Sequence, residues 1–152
     1  MTEVFLALGS NVGEREKNLR AAVAEIKKIA RLTAASSVYE SKPAGFAAQP
    51  DFLNAAIKIE TDIPPLELLK KLKEIETRLG RTPSFKNGPR VIDIDIIFYG
   101  KEKVNTPELI VPHPRYAQRN FVLVSLSEIN PAVKLKTAHY KDVVKTAQNL
   151  LS

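Results

Sequence analysis

Apolar and polar positions set out a succession of short elements. Val4, Leu6 and Leu8 alternate with Phe5, Ala7 and Gly9, the two-residue period of a strand. Gly9-Ser10-Asn11 interrupts that pattern. Glu14 and Glu16 then suit the positive end of a helix, where Leu19, Ala22, Val23, Ile26, Ile29 and Ala30 recur at helical spacing to about Arg31. Residues 33–40 read as a weaker strand of small side chains. Pro43, Gly45 and Pro50 make 41–51 a loop.

Phe52 to Glu60 alternates again, with Leu53, Ala55, Ile57 and Ile59 on one face and Phe52, Asn54, Ala56 and Lys58 on the other. Pro64-Pro65 starts a second helix whose buried stripe is Leu68, Leu72, Ile75 and Leu79, with Gly80 as its C-terminal cap. Prolines, Asn87 and Gly88 make 81–89 a loop. Val91 to Tyr99 is the clearest strand: Ile92, Ile94, Ile96 and Phe98 point one way, and Val91, Asp93, Asp95, Ile97 and Tyr99 the other. Gly100 turns the chain into a short hairpin ending at Leu109 to Val111. Phe121 to Ile129 reads as helix, and Val143, Val144, Ala147, Leu150 and Leu151 suit a short closing helix.

Strand, helix, strand, strand, helix, strand is the ferredoxin-like split βαββαβ order of an α+β domain. Its antiparallel sheet carries both helices on one face. The opposite face stays open and polar here, and it carries Asp93, Asp95, Phe52 and Asn54 together. One domain, 1–152, accommodates all of this.

Composition narrows the function. The 152 residues include 23 basic and 17 acidic side chains, a net charge of +6, which favours anionic partners such as nucleotides, phosphorylated substrates or nucleic acid. The chain has no cysteine, which excludes disulfides, thiolate metal sites and a cysteine nucleophile. Val4 to Leu8 is too short for a signal peptide or membrane span, so a cytoplasmic location is expected.

Asp93-Ile94-Asp95 is the sharpest chemical feature. Two residues apart on a strand, both carboxylates point the same way, about 7 Å apart at Cα. A hard divalent cation with oxygen ligands relieves their repulsion; magnesium takes one or two carboxylates and completes its shell with phosphate and water. Arg81 and Arg90 flank the adjoining loop and suit phosphate oxygens. His113, between Pro112 and Pro114, is held to donate to phosphate or simply to pack in a turn. Phe52 and Phe121 can sandwich a flat ring or fill the core. Asn54 can read a heterocycle edge. His139 has no comparable setting. Gly9-Ser10-Asn11-Val12-Gly13 lacks a P-loop lysine, and no dinucleotide fingerprint is present.

From Lys86 to Ile97, Lys-Asn-Gly-Pro-Arg-Val-Ile-Asp-Ile-Asp-Ile-Ile resembles the signature of the hydroxymethyl-dihydropterin pyrophosphokinases. The likeness extends through Ala7-Leu8-Gly9-Ser10-Asn11, Gln49 to Ala56, Ile75-Glu76 with Gly80-Arg81, and Val111-Pro112-His113 followed by Arg119 and Phe121. It implies a folate-pathway enzyme that moves pyrophosphate from ATP to a pterin alcohol and releases AMP. It implies that Asp93 and Asp95 bind two magnesium ions along the triphosphate. Arg81 and Arg90 would contact ATP phosphates, supported by His113 and Arg119, with Glu76 at the nucleotide site. Phe52 and Phe121 would stack on the pterin, which Asn54 and Asp93 would bind against a wall of Ser41, Ala44 and Gly45. Arg81, Arg90 and Asp95 would carry the chemistry, and loops 41–51 and 82–89 would close over the site. Phe52 stands where a tyrosine is common, and Ser41 where a threonine is usual.

A monomer is expected, with no nucleic-acid or membrane partner. Two rival readings are an RNA-binding module of the same topology, whose sheet would display aromatics to bases, and a nucleotide-binding regulator without turnover. Two acids on the open face of the Val91–Tyr99 strand disfavour the first.

Overall fold

The computed structural model describes residues 1–42, 48–82, 88–135 and 143–150. Its main sheet begins with β1 (Thr2–Ser10), followed by helix α1 (Arg15–Ile26), strands β2 (Arg31–Ala35), β3 (Ser37–Ser41) and β4 (Phe52–Thr61), helix α2 (Pro65–Arg78) and strand β5 (Asp93–Tyr99). A hairpin of β6 (Val104–Asn105) and β7 (Ile110–Val111), helix α3 (Asn120–Ile129) and strand β8 (Val143–Asn149) complete it. The sheet order is β5-β1-β4-β3-β8, with β2 also on β4, and every pairing is antiparallel. That is the split βαββαβ arrangement expected from the alternation of elements.

The main core lies between one sheet face and helices α1 and α2. Val4, Leu6 and Leu8 of β1, Ile57 and Ile59 of β4, and Ile94 and Ile96 of β5 meet Leu19, Val23 and Ile26 of α1 and Leu68, Leu72 and Ile75 of α2. Full burial of each such side chain contributes about 1.5–3 kcal/mol. The third helix packs on the opposite face. Val122 and Leu126 of α3 enclose Ala56 and Ile97 in a second, smaller core with Phe5 and Phe98. The polar face is therefore open only beyond α3, around Phe52, Asn54, Asp93 and Asp95.

Several local expectations are corrected. Helix α1 stops at Ile26, not Arg31; Lys27 to Ala30 make turns, while Ile29 and Ala30 still pack on the core. The 33–40 strand is two strands laid end to end along β4. At the break, Ser36 N–H donates to Ala56 O at 2.8 Å, and Ser36 Oγ accepts the Ala56 N–H at 2.9 Å, so a hydroxyl substitutes for a backbone carbonyl. The clearest strand starts at Asp93, leaving Val91 and Ile92 before it.

A bulge also interrupts β5. Phe5 pairs with Phe98, but Leu6 pairs with Ile96, so Ile97 is the extra residue. Ile97 and Phe98 consequently both face α3, and Tyr99 returns to the main core. The closing segment is strand β8, not a helix; it completes the sheet by pairing with β3. Leu151 and His139 lie outside the described residues.

Gly100 makes the turn after β5 with φ +54°, and a Cβ there would lie 2.8 Å from Thr2 Cγ2. Gly100→Ala is expected to destabilise the protein by about 1–3 kcal/mol, read as a lower melting temperature with unchanged far-UV dichroism. Among the described residues, no helix is long and apolar enough to cross a membrane.

Candidate active site

Strand register builds the floor of the site. Gly9 of β1 pairs with Asn54 of β4 on one side and Asp93 of β5 on the other; Ala7 likewise pairs with Ala56 and Asp95. Small residues on the central strand thus leave a trough between an amide and two acids. Adjacent strands lie about 4.8 Å apart, so the trough is about 10 Å across. A Cβ on Gly9 would stand 3.4 Å from Asn54 Oδ1 and 3.6 Å from Phe52 Cδ1, so a side chain there would begin to fill it. The cavity above this floor has a volume of about 260 Å³ and is lined by Phe52, Asn54, Arg81, Arg90, Asp93, Asp95, His113, Arg115, Arg119 and Phe121, among others.

The electrostatics are unbalanced in a way that suits a cation. Burial, and then the negative charge of Asp93, push the Asp95 carboxyl up to about 7. Arg119 opposes this from 4.0 Å, at the limit of an ion pair. Asp93 is better compensated, with Arg81 Nη1 at 2.9 Å from its Oδ1.

Arg81 owes its position to the end of α2. Gly80 adopts φ +101°, Gly80 N–H donates to Thr77 O, and Arg81 N–H reaches back to Glu76 O at 3.0 Å. This Schellman closure sets Arg81 beside Glu76, whose Oε1 lies 2.8 Å from Arg81 Nη1. The second Glu76 oxygen accepts the Ile94 N–H at 2.7 Å, tying α2 to the strand between the two acids. Glu76 is buried behind Asp93, and its carboxyl is raised above the ordinary range, chiefly by burial. It braces Arg81 and β5 from below and is not among the cavity-lining residues.

The hairpin delivers His113. Its N–H donates to Ile97 O at 3.0 Å, and its Nδ1 accepts the Arg115 N–H at 3.1 Å. A neutral ring accepting at Nδ1 carries its proton on Nε2. Burial, and then the Arg119 charge, lower its pKa, which favours that neutral form. On the far side, Asn54 Nδ2 donates to Ser41 Oγ at 2.7 Å, so buried Ser41 orients the amide from the neighbouring strand β3.

The fold therefore gathers Phe52, Asn54, Arg81, Arg90, Asp93, Asp95, His113, Arg119 and Phe121 around one cavity, with Ser41 beside Asn54 on β3 and Glu76 beneath Arg81 and β5. Ala44 and Gly45 lie outside the described residues, as do parts of both loops expected to close over the site. Sequence reasoning missed Lys42 and Arg115, which also line the cavity, and the structural importance of Gly9. The basic pair in Arg115–Arg119, following His113, was the available signal for Arg115. Nothing in the local pattern marked Gly9 as the trough.

Comparisons with known proteins agree with this geometry. Residues 5–131 match the family model described as 7,8-dihydro-6-hydroxymethylpterin-pyrophosphokinase. A Bacillus subtilis protein named 2-amino-4-hydroxy-6-hydroxymethyldihydropteridine pyrophosphokinase is 47% identical over 127 residues, covering 82% of this chain and 76% of that protein. An Aquifex aeolicus protein of the same name is 44% identical over 133 residues, 88% of this chain and 83% of that one. A Pisum sativum protein, named as a mitochondrial folate synthesis bifunctional protein, is 46% identical over 84% of this chain, which spans 25% of its length. Among solved structures, a Plasmodium falciparum HPPK-DHPS chain superposes with a TM-score of 0.73 at 16% identity, covering 88% of this chain and 42% of that one, a likeness of fold. This chain belongs to the 7,8-dihydro-6-hydroxymethylpterin-pyrophosphokinase family.

Proposed function

We infer that residues 1–152 act as a single pyrophosphokinase domain, transferring pyrophosphate from ATP to the hydroxymethyl oxygen of 6-hydroxymethyl-7,8-dihydropterin in folate synthesis and releasing AMP. The observation that carries this reading is the register that sets Asn54, Gly9 and Asp93 side by side, beneath a cavity lined by arginines. The trough receives a flat heterocycle; the acids and arginines at its other side suit a metal-bound triphosphate.

The donor set fits magnesium. Asp93 and Asp95 present carboxylate oxygens, and among the described residues no third His, Cys, Asp or Glu joins them to complete a protein cage. Such a pair suits magnesium ions that complete their coordination with phosphate and water. Two ions held by Asp93 and Asp95 would neutralise phosphate charge and lower the pKa of the pterin alcohol.

The chain's residues then divide the work. Phe52 and Phe121 stack on the pterin, and Asn54, oriented by Ser41, reads its edge. The alcohol oxygen attacks the β-phosphorus in line and releases its proton to water; the bond from that phosphorus to the oxygen bridging to the α-phosphate breaks, and AMP departs with both electrons. Arg81 and Arg90 stabilise charge spreading onto the phosphate oxygens. Arg119 and the His113 Nε2–H add further donors. Glu76 acts through Arg81.

The test is AMP release from ATP and magnesium, with and without the pterin alcohol. AMP formed only when the alcohol is added, together with the pterin diphosphate, is the expected result. Binding of ATP without AMP release would favour a regulator, and retention of single-stranded RNA on filters would favour the RNA-binding reading.

A further inference from the structure

Asn11 follows directly after β1 and is 1% exposed. Both amide hydrogens and the carbonyl oxygen of its side chain are engaged. Nδ2 donates to Gln49 Oε1 at 2.8 Å and to Pro50 O at 3.0 Å, while Oδ1 accepts the Arg90 N–H at 2.8 Å. Its own N–H donates to Arg90 O at 3.0 Å. The turn that holds it is itself fastened to α1, since Asn18 Nδ2 donates to Val12 O at 2.8 Å and to Ser10 Oγ at 3.2 Å.

The two segments that Asn11 joins serve opposite sides of the site. Gln49 and Pro50 lead into Asp51 and Phe52 on the ring side. Arg90 carries its guanidinium on the phosphate side, three residues before Asp93. Asn11 is not among the residues lining the cavity, and its hydrogen bonds run to the segments that lead into both walls.

We propose that Asn11 is a positioning residue that couples the pterin and nucleotide subsites, by holding the 49–50 segment and the Arg90 backbone in one shared hydrogen-bond arrangement. This rests on the functional reading above. A buried amide with both hydrogens and its oxygen engaged tolerates little displacement, because moving either segment leaves a buried donor or acceptor unpaired. Ordering the ring-side segment around a pterin therefore favours the Arg90 placement that receives phosphate. The reverse holds by the same factor, since coupling between two sites is reciprocal.

The experiment measures 6-hydroxymethyl-7,8-dihydropterin affinity, with and without saturating magnesium and α,β-methylene ATP, in which the scissile bridge cannot break. In the native protein the nucleotide analogue is expected to tighten pterin binding by about fivefold or more. In Asn11→Ala that factor falls close to one, while affinity for each ligand alone changes far less. Gln49→Ala, which removes one partner at a half-exposed position, lowers the factor in the same direction and decides the matter if Asn11→Ala does not fold. A coupling factor near one in the native protein, or one unchanged in the variants, overturns the proposal while leaving the functional reading intact. A native protein that binds neither ligand refutes that reading and this inference with it.

Discussion

Asp95→Asn is expected to reduce AMP formation by about 10²–10³-fold and, in the free protein, to raise the melting temperature above pH 7. Both effects come from one carboxylate. Its pKa rises from the ordinary 3.8 to about 7 on folding, by burial first and the Asp93 charge second. Between those two values the folded protein holds a proton that the unfolded chain has released. Stability therefore falls as pH rises through that window, and the penalty is complete above pH 7. Asparagine carries no such penalty. Because the side chain is 32% exposed, solvent screening reduces the gain to about 1–2 kcal/mol, about 3–7 °C. Near pH 4 the two proteins should melt together. The same substitution removes one of the two carboxylates proposed to hold magnesium, so stabilisation by magnesium and ATP should shrink as well. Melting curves from pH 4 to 9, beside turnover at saturating magnesium, check the prediction; retained turnover, or no gain at pH 8, contradicts it.

Glu76→Ala is expected to do the opposite to stability. It removes the acceptor of the Ile94 N–H and the partner that holds Arg81. An orphaned buried donor costs about 1–3 kcal/mol, and breaking a buried ion pair costs about 3–5 kcal/mol. Arg81 is 26% exposed and can turn to water, so the combined loss should be about 2–4 kcal/mol, or about 5–15 °C. Activity should fall too, although this side chain stands behind Asp93 and outside the cavity lining. Glu76→Gln separates the causes. It keeps an acceptor for Ile94 and sheds a charge whose burial disfavours ionisation, since the raised pKa makes the native Glu76 a cost that grows as pH rises above 4.5. The glutamine variant should regain most of the stability but leave Arg81 loosely held, with impaired turnover. Equal recovery of both properties would show that the ion pair does not position Arg81.

The strongest patterns in the chain were legible because one physical rule acted alone. Alternating Ile92, Asp93, Ile94, Asp95 and Ile96 needs only a strand with one apolar and one polar face. Leu68, Leu72 and Ile75 need only a helix against a core. The reading failed where tertiary pairing decided between equally good local answers. Val143, Val144, Ala147 and Leu150 fit a helical stripe, but the free edge of β3 takes that segment as a strand. Ile29 and Ala30 keep the helical spacing after the helix has ended, because they still touch the core. At Ile97 and Phe98 both residues are apolar, so alternation cannot reveal a bulge. Asn11 illustrates a different limit: its partners lie 38, 39 and 79 residues away, and no local window contains that information.

The bulge at Ile97 divides β5 into two stretches with opposite phase. The first aims its acids at the trough; the second anchors Phe98 under α3 and Tyr99 under the other layer. Anyone grafting the whole Asp93–Tyr99 segment onto a different scaffold would therefore have to transplant the irregularity with it. On a regular strand, Tyr99 would face the same side as the acids and Phe98 would exchange layers. Deleting Ile97 itself would instead restore regular alternation, leaving the acids, Phe98 and Tyr99 on their present faces and removing only one apolar side chain from the smaller core.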